Sequence, residues 1–113
     1  MDYVFIHHMY EFEKGLRNMI LHTTKKEYKQ NIEEKLRKKG IDYIIYEIPF
    51  GKINVFFGNK NCVDVIRAIG KDNLSKYSDE EDFIIGIMLG YDRIKQCERY
   101  IKRKIKDTTA CNI

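Results

Sequence analysis

Two β-rich runs, Asp42 to Ile48 and Lys52 to Phe57, flank Pro49-Phe50-Gly51, and no other feature of the chain constrains its fold as much. Runs of this kind joined by a few residues containing Pro and Gly form an antiparallel hairpin. Both runs are apolar on both faces, with Ile44, Ile45, Tyr46 and Ile48 in the first and Ile53, Val55, Phe56 and Phe57 in the second. A strand of that kind belongs to a sheet covered on both sides. The chain has 113 residues, which make one small domain over residues 1–113. Few helices remain to cover such a sheet, so the hairpin raises the expectation of a second subunit.

The flanking segments supply the helices and a third strand. Tyr3 to His7 is dense in β-branched and aromatic residues and reads as a first strand. From Met9 to about His22, the residues Phe12, Leu16, Met19, Ile20 and Thr23 recur at helical spacing and predict a first helix. Thr23 or Thr24 is placed to cap a second helix, where Tyr28, Ile32 and Leu36 run as a narrow apolar stripe toward Gly40. After the hairpin, the turn from Gly58 to Asn61 offers an Asn cap to a short helix carrying Val63, Ile66 and Ile69 and stopped by Gly70. Asp72 to Tyr77 reads as an irregular or one-turn helical connection.

Ser78 with Glu81 fits a capping box, and acids from Asp79 to Asp82 sit at the positive end of the helix that follows. This last helix is expected to run past Arg103. At about 25 residues it would be about 38 Å long, against a radius of gyration of about 13–14 Å for a domain of this size. Part of it should project or pack on a second subunit. The fold class is therefore α+β: a three-stranded sheet including an antiparallel hairpin, with about five helices, in the order β-α-α-β-β-α-α-α.

Composition closes several functional classes. The formal net charge is +4, with 34% charged and 43% hydrophobic residues, the mixture of a globular chain. The start, Met1-Asp2-Tyr3-Val4, lacks the features of a secretory leader, so a cytoplasmic location is expected. The longest apolar run, Phe83 to Leu89, is far shorter than the ~20 residues of a membrane-spanning helix. Cys62, Cys97 and Cys111 contain no Cys-x-x-Cys pair and read as free thiols, with Cys111 the one expected to be exposed. From Arg93 to Lys106 seven basic residues stand against one acid, Glu98, a local balance of +6 that leaves the rest of the chain at −2. A second basic cluster is Lys35, Arg37, Lys38 and Lys39. Such runs are most often solvated helix faces; the sharper reading is a surface for an acidic partner.

Three groups of residues are candidates for chemistry or binding. The first is a polar site of His7, His8, Tyr10, Glu11, Lys14, Arg17, Asn18 and His22. On a helix reaching back that far, His7 and Glu11 are i,i+4 neighbours, and Glu11, Gly15, Asn18 and His22 share one polar face. Adjacent histidines diverge, and spacing places no third and fourth ligands, so no metal is assigned. Lys14, Arg17 and Asn18 with His22 and Thr23 would suit an anion, although Arg17 pairing with Glu13 at i,i+4 is the simpler expectation. The second group, Asp92, Arg93, Gln96, Arg99 and Arg103, forms a candidate partner-binding stripe on the last helix. The third is Gly86 and Gly90, spaced for close approach of another backbone from the same chain or from a second subunit. Phosphate-binding loops and nucleophile motifs are absent from the sequence, and no cofactor is expected.

The runs His7-His8-Met9-Tyr10-Glu11-Phe12, Lys14-Gly15-Leu16-Arg17-Asn18, Leu21-His22-Thr23, Gly90-Tyr91-Asp92-Arg93 and Gln96-Cys97-Glu98-Arg99-Tyr100 span most of the chain. On these runs it resembles a small bacterial family, domain-of-unknown-function family two-thousand-twenty-three. The resemblance implies about three strands and five helices, a homodimer, and an association with flavodoxin, an acidic protein that a basic last helix would suit. The expectation is a homodimeric accessory or regulatory binding protein, associated with a flavodoxin electron-transfer system. The alternatives are a nucleic-acid-binding protein using Arg93, Arg99, Lys102 and Arg103, and a metal-binding or enzymatic site around His7, His8, Glu11 and His22.

Overall fold

The computed structural model describes residues 2–111, with side chains from 2 to 107. The hairpin forms as its sequence dictates. β2 (Asp42–Ile48) and β3 (Lys52–Gly58) pair antiparallel, with Ile44 opposite Phe56 and Ile45 opposite Val55. At the turn, Phe50 and Gly51 both have positive φ, 67° and 68°, the twist that joins two strands tightly. β3 is the middle strand, and every residue from Ile53 to Gly58 is buried. Its other edge is taken by β1 (Met19–Lys25), also antiparallel, with Ile20 opposite Phe57.

β1 lies where a helix was expected. The strand predicted at Tyr3 to His7 is instead the first turns of α1 (Tyr3–Glu13), which stops before the predicted end at His22. Two interactions outside the local pattern decide this. The Asp2 side chain caps the helix by accepting from the Phe5 amide at 3.1 Å, and Phe5 and Met9, one helical turn apart, bury against the sheet. After Glu13 the amide of Leu16 returns to the Glu11 carbonyl and closes the helix. Met19 to Thr23 satisfies helical spacing, but the open edge of β3 claims it as a strand. Thr23 and Thr24 thus lie in β1, and a 3-10 turn, Lys26–Tyr28, leads into α2 (Lys29–Lys38) without a threonine cap. The α+β class, the three strands and the five helices stand, but the order is α-β-α-β-β-α-α-α.

The later caps follow the sequence closely. The Asn59 side chain accepts from the Asn61 amide at the start of α3 (Lys60–Ile69), and Gly70 ends it. Ser78 and Glu81 form the reciprocal capping box of α4 (Asp79–Met88). The single long helix expected from there is broken. Gly90, at φ 82°, turns the chain, Asp92 accepts from the Lys95 amide at 2.9 Å, and α5 (Arg93–Cys111) returns antiparallel along α4. Gly90 is therefore a turn residue outside the helix. Gly86 does allow a close approach, but the group that fills the space is the Gln96 side chain of α5.

Two apolar layers cover the sheet. On one face Phe5 and Met9 of α1 and Ile32 and Leu36 of α2 pack on Ile20, Ile53, Val55 and Phe57. On the other, Ile66 of α3, Tyr77, and Ile85 of α4 pack with Leu89 on Met19 and Phe56. The chain thus covers β3 on both faces and leaves β2 half-buried. The Tyr77 hydroxyl is buried without a hydrogen-bond partner among the described residues, and burial pushes its pKa up to about 12. No helix among the described residues is long and apolar enough to cross a membrane.

Where β1 begins, Gly58 meets it backbone to backbone: at φ 146°, an added Cβ would lie 2.9 Å from the Met19 Cα. Gly58→Ala should therefore cost about 3 kcal/mol or more, combining strain with a clash that no side-chain movement relieves. Gly90→Ala, also at positive φ but with nothing within 4 Å, should cost only about 1–2 kcal/mol. Urea unfolding of the two variants measures the difference, and equal losses would contradict the packing at the β1–β3 edge.

Candidate functional site

The helical start of the chain gathers the histidines differently from the sequence reading. α1 places His7 and His8 over one carboxylate: Glu11 Oε1 lies 3.4 Å from His7 Nε2 and 3.6 Å from His8 Nδ1. His22 reaches the same region from β1, on the face of the sheet that α1 covers. Its ring is buried, 5.3 Å from the ring of His8 and 5.8 Å from that of Phe5. Its Nε2 is 2.6 Å from Asp2 Oδ2. Asp2 therefore caps α1 with one oxygen and holds His22 of β1 with the other.

The electrostatics follow from that arrangement. Burial alone would raise the Asp2 pKa, but hydrogen bonds from His22, Thr24 and the Phe5 amide outweigh it and hold the carboxyl at about 2. Burial, with the charges of His22 and Arg17, lowers the pKa of His8, and its Nδ1 is buried without a hydrogen-bond partner among the described residues. No group of three or more His, Cys, Asp or Glu among the described residues is arranged to hold a metal ion. What this cluster does visibly is join the N-terminus of α1 to β1.

The other members of the predicted polar site disperse. Because α1 ends at Glu13, the expected face of Glu11, Gly15, Asn18 and His22 does not exist. Arg17 and Asn18 border a cleft of about 460 Å³ with Glu11, Gly15 and the α4–α5 turn at Gly90 and Tyr91. Arg17 does not form the expected pair with Glu13, whose carboxylate accepts instead from Lys39 at 3.1 Å. Tyr10 and Lys14 point to the opposite side of α1, with the Lys14 Nζ 5.4 Å above the Tyr10 ring. There they border a groove of about 990 Å³ shared with Lys35, Lys38 and Lys39 of α2 and its C-terminal cap.

The stripe on α5 is occupied from within the chain. Arg99 Nε is 2.8 Å from Asp82, Arg103 reaches Asp79 at 2.9 Å and Asp82 at 3.0 Å, and Lys104 reaches Glu80 at 2.9 Å. The Arg99 hydrogen bond lowers the pKa of Asp82, outweighing the burial that would raise it. Asp92 is a cap and Gln96 lies over Gly86, so of the five predicted partner-binding residues only Arg93 has no such contact among the described residues. Cys62 is half-buried and Cys97 exposed, both free. The Cys111 side chain lies outside the described ones.

Sequence reasoning passed over a different surface of the same helix. Ile94, Cys97, Ile101 and Ile105 recur at intervals of three or four residues on the side of α5 turned away from α4, beside a shallow groove of about 510 Å³. Ile94, Ile101 and Ile105 are 68%, 54% and 62% exposed. The signal was legible as an i,i+3,i+7,i+11 series, hidden by the lysines and arginines between.

A family model described as "Protein of unknown function (DUF2023)" matches residues 3–103. None of the curated proteins matches the chain.

The Asp2 contacts have a pH signature. A carboxyl held at about 2 instead of its ordinary 3.8 adds stability that is complete well above that ordinary value and is lost as the pH falls through the folded-state value. The size of the effect is about 2 kcal/mol. Asp2→Asn keeps a capping oxygen and removes the charge. It should lower stability by about 1–2 kcal/mol at pH 7, and the gap to the wild type should shrink as the pH falls from about 5 to about 2. Urea titrations across this range measure the gap, and a constant gap would contradict the ionised Asp2–His22 contact.

Proposed function

The chain belongs to the DUF2023 family, and from that premise we propose that it acts as a homodimeric accessory binding protein, joined to a second copy through the outer face of α5. The observation that carries this reading is the row Ile94, Cys97 and Ile101, exposed on a helix whose other face is fixed to α4 by ion pairs and by the Phe83–Tyr100 contact. Large apolar side chains at a/d-like spacing on a regular helix are matched by an identical helix across a two-fold axis.

Surface and shape support the same reading. The chain exposes 7582 Å², where a compact monomer of this length exposes about 6,600 Å². The surplus, about 1,000 Å², is close to the about 800 Å² that each partner buries in a standard interface. The radius of gyration, 15.6 Å with a long axis of 52 Å, exceeds the about 13 Å of a compact domain. A dimer of this kind would bind other proteins through surfaces it leaves free. An acidic electron-transfer protein of the flavodoxin type, to which the resemblance points, is the partner class that suits its net positive charge.

Light scattering and sedimentation at micromolar concentration test the dimer. The wild type is expected to sediment as a dimer, and Ile101→Glu as a folded monomer, its dissociation constant raised about 100-fold or more by two carboxylates placed in an apolar contact. A wild type that stays monomeric to about 100 μM, an affinity weaker than any stable homodimer needs, would sink the proposal.

A further inference from the structure

The face of the sheet opposite α4 and α5 carries a second exposed surface. Here α1 and α2 leave between them the groove of about 990 Å³, with Ile6, Met9 and Tyr10 as its apolar floor and Lys14, Lys35 and Lys38 around it. Ile6 and Tyr10 remain 38% and 55% exposed. The ion pair between Glu13 and Lys39 at 3.1 Å closes one side and is internally neutral. No carboxylate among the described residues lies within ion-pair distance of Lys14, Lys35 or Lys38, so the groove keeps a charge of +3 over an apolar floor.

We infer that this groove docks an acidic amphipathic segment of another protein, whose apolar side chains rest on Ile6, Met9 and Tyr10 while its carboxylates meet Lys14, Lys35 and Lys38. An apolar floor with a cationic rim is the complement of a helix that is apolar on one face and acidic on the other. A second copy of this chain does not fit, because a two-fold contact would set +3 against +3. A nucleic acid fits less well. The groove has no arginine to clasp phosphates, Lys14 already covers one face of its only exposed ring, and much of its floor is aliphatic. The inference rests on the reading of a binding protein but not on its dimer, since one protomer carries the whole groove.

Fluorescence anisotropy with a labelled helical peptide of about 18 residues, Leu and Phe on one face and Glu on the other, tests it. Binding is expected, weakening about tenfold or more in Lys35→Glu/Lys38→Glu and, by screening, between about 50 mM and about 500 mM salt. Lys38→Glu alone, at an exposed position, should weaken binding about threefold, with the thermal unfolding curve nearly unchanged. Ile101→Glu should bind the peptide as the wild type does, which separates a failed groove from a failed dimer. Absence of binding, equal binding of a scrambled peptide of the same composition, tighter binding of a single-stranded oligonucleotide, or loss of binding in Ile101→Glu would each overturn the inference.

Discussion

Burial of β3 on both faces and both edges is the constraint from which the rest of the molecule follows. A strand whose Ile53, Val55 and Phe57 face one way and Phe56 the other needs two apolar layers. It also needs a hydrogen-bonding neighbour on each side, because a buried edge without one leaves amides and carbonyls unpaired. β2 supplies one edge through the hairpin, and β1 must supply the other. Once Met19 to Lys25 is committed to that edge, the preceding residues have only the open face to cover, and Phe5 and Met9 cover it as a helix. α2 completes that layer, and α3 with α4 makes the opposite one. By the time the chain reaches Gly90 both faces of β3 are covered, and α5 packs chiefly on α4.

What was legible in the sequence divides along the same line. The hairpin, the caps at Asn59, Gly70 and Ser78 with Glu81, and α2 were legible because each is decided by residues within one or two turns of chain. The beginning was not. Tyr3 to His7 has strand composition, and Met19 to Thr23 fits both helical and extended periodicity, so the outcome depends on β3, more than thirty residues away. Asp2 was the one local clue, a capping residue just ahead of an apolar pattern, and its second role as the partner of His22 exists only after folding.

The candidate site shows the same limit. Residues His7 to His22 stand out in the sequence as polar and dense, but a break at Glu13 sends Tyr10 and Lys14 to one side of α1, Arg17 and Asn18 to another, and His22 into the core. The basic run from Arg93 to Lys106 misled in a physical way. Three of its seven cations, Arg99, Arg103 and Lys104, are met by acids of the first turn of α4, a pairing that an antiparallel return creates and a continuous helix forbids. Free positive charge also lies on the weaker-looking cluster at Lys35 and Lys38, there beside an apolar floor.

That redistribution bears on how the two proposed surfaces work together. α5 stands on α4, outside one face of the sheet, and the lysine groove opens between α1 and α2 outside the other. Two copies joined through α5 would leave both grooves unobstructed, one on each protomer, with the sheets between groove and interface. A partner carrying two acidic segments, or a dimeric partner, could then engage both grooves. The gain would come from effective concentration, so a groove of modest intrinsic affinity suffices. The basic charge of α5 would oppose this by setting like charges across the two-fold contact. Folding α5 back on the acids of α4 offsets part of that charge and leaves the isoleucine row facing outward, so the helical hairpin is the feature that would allow a positively charged chain to associate with itself.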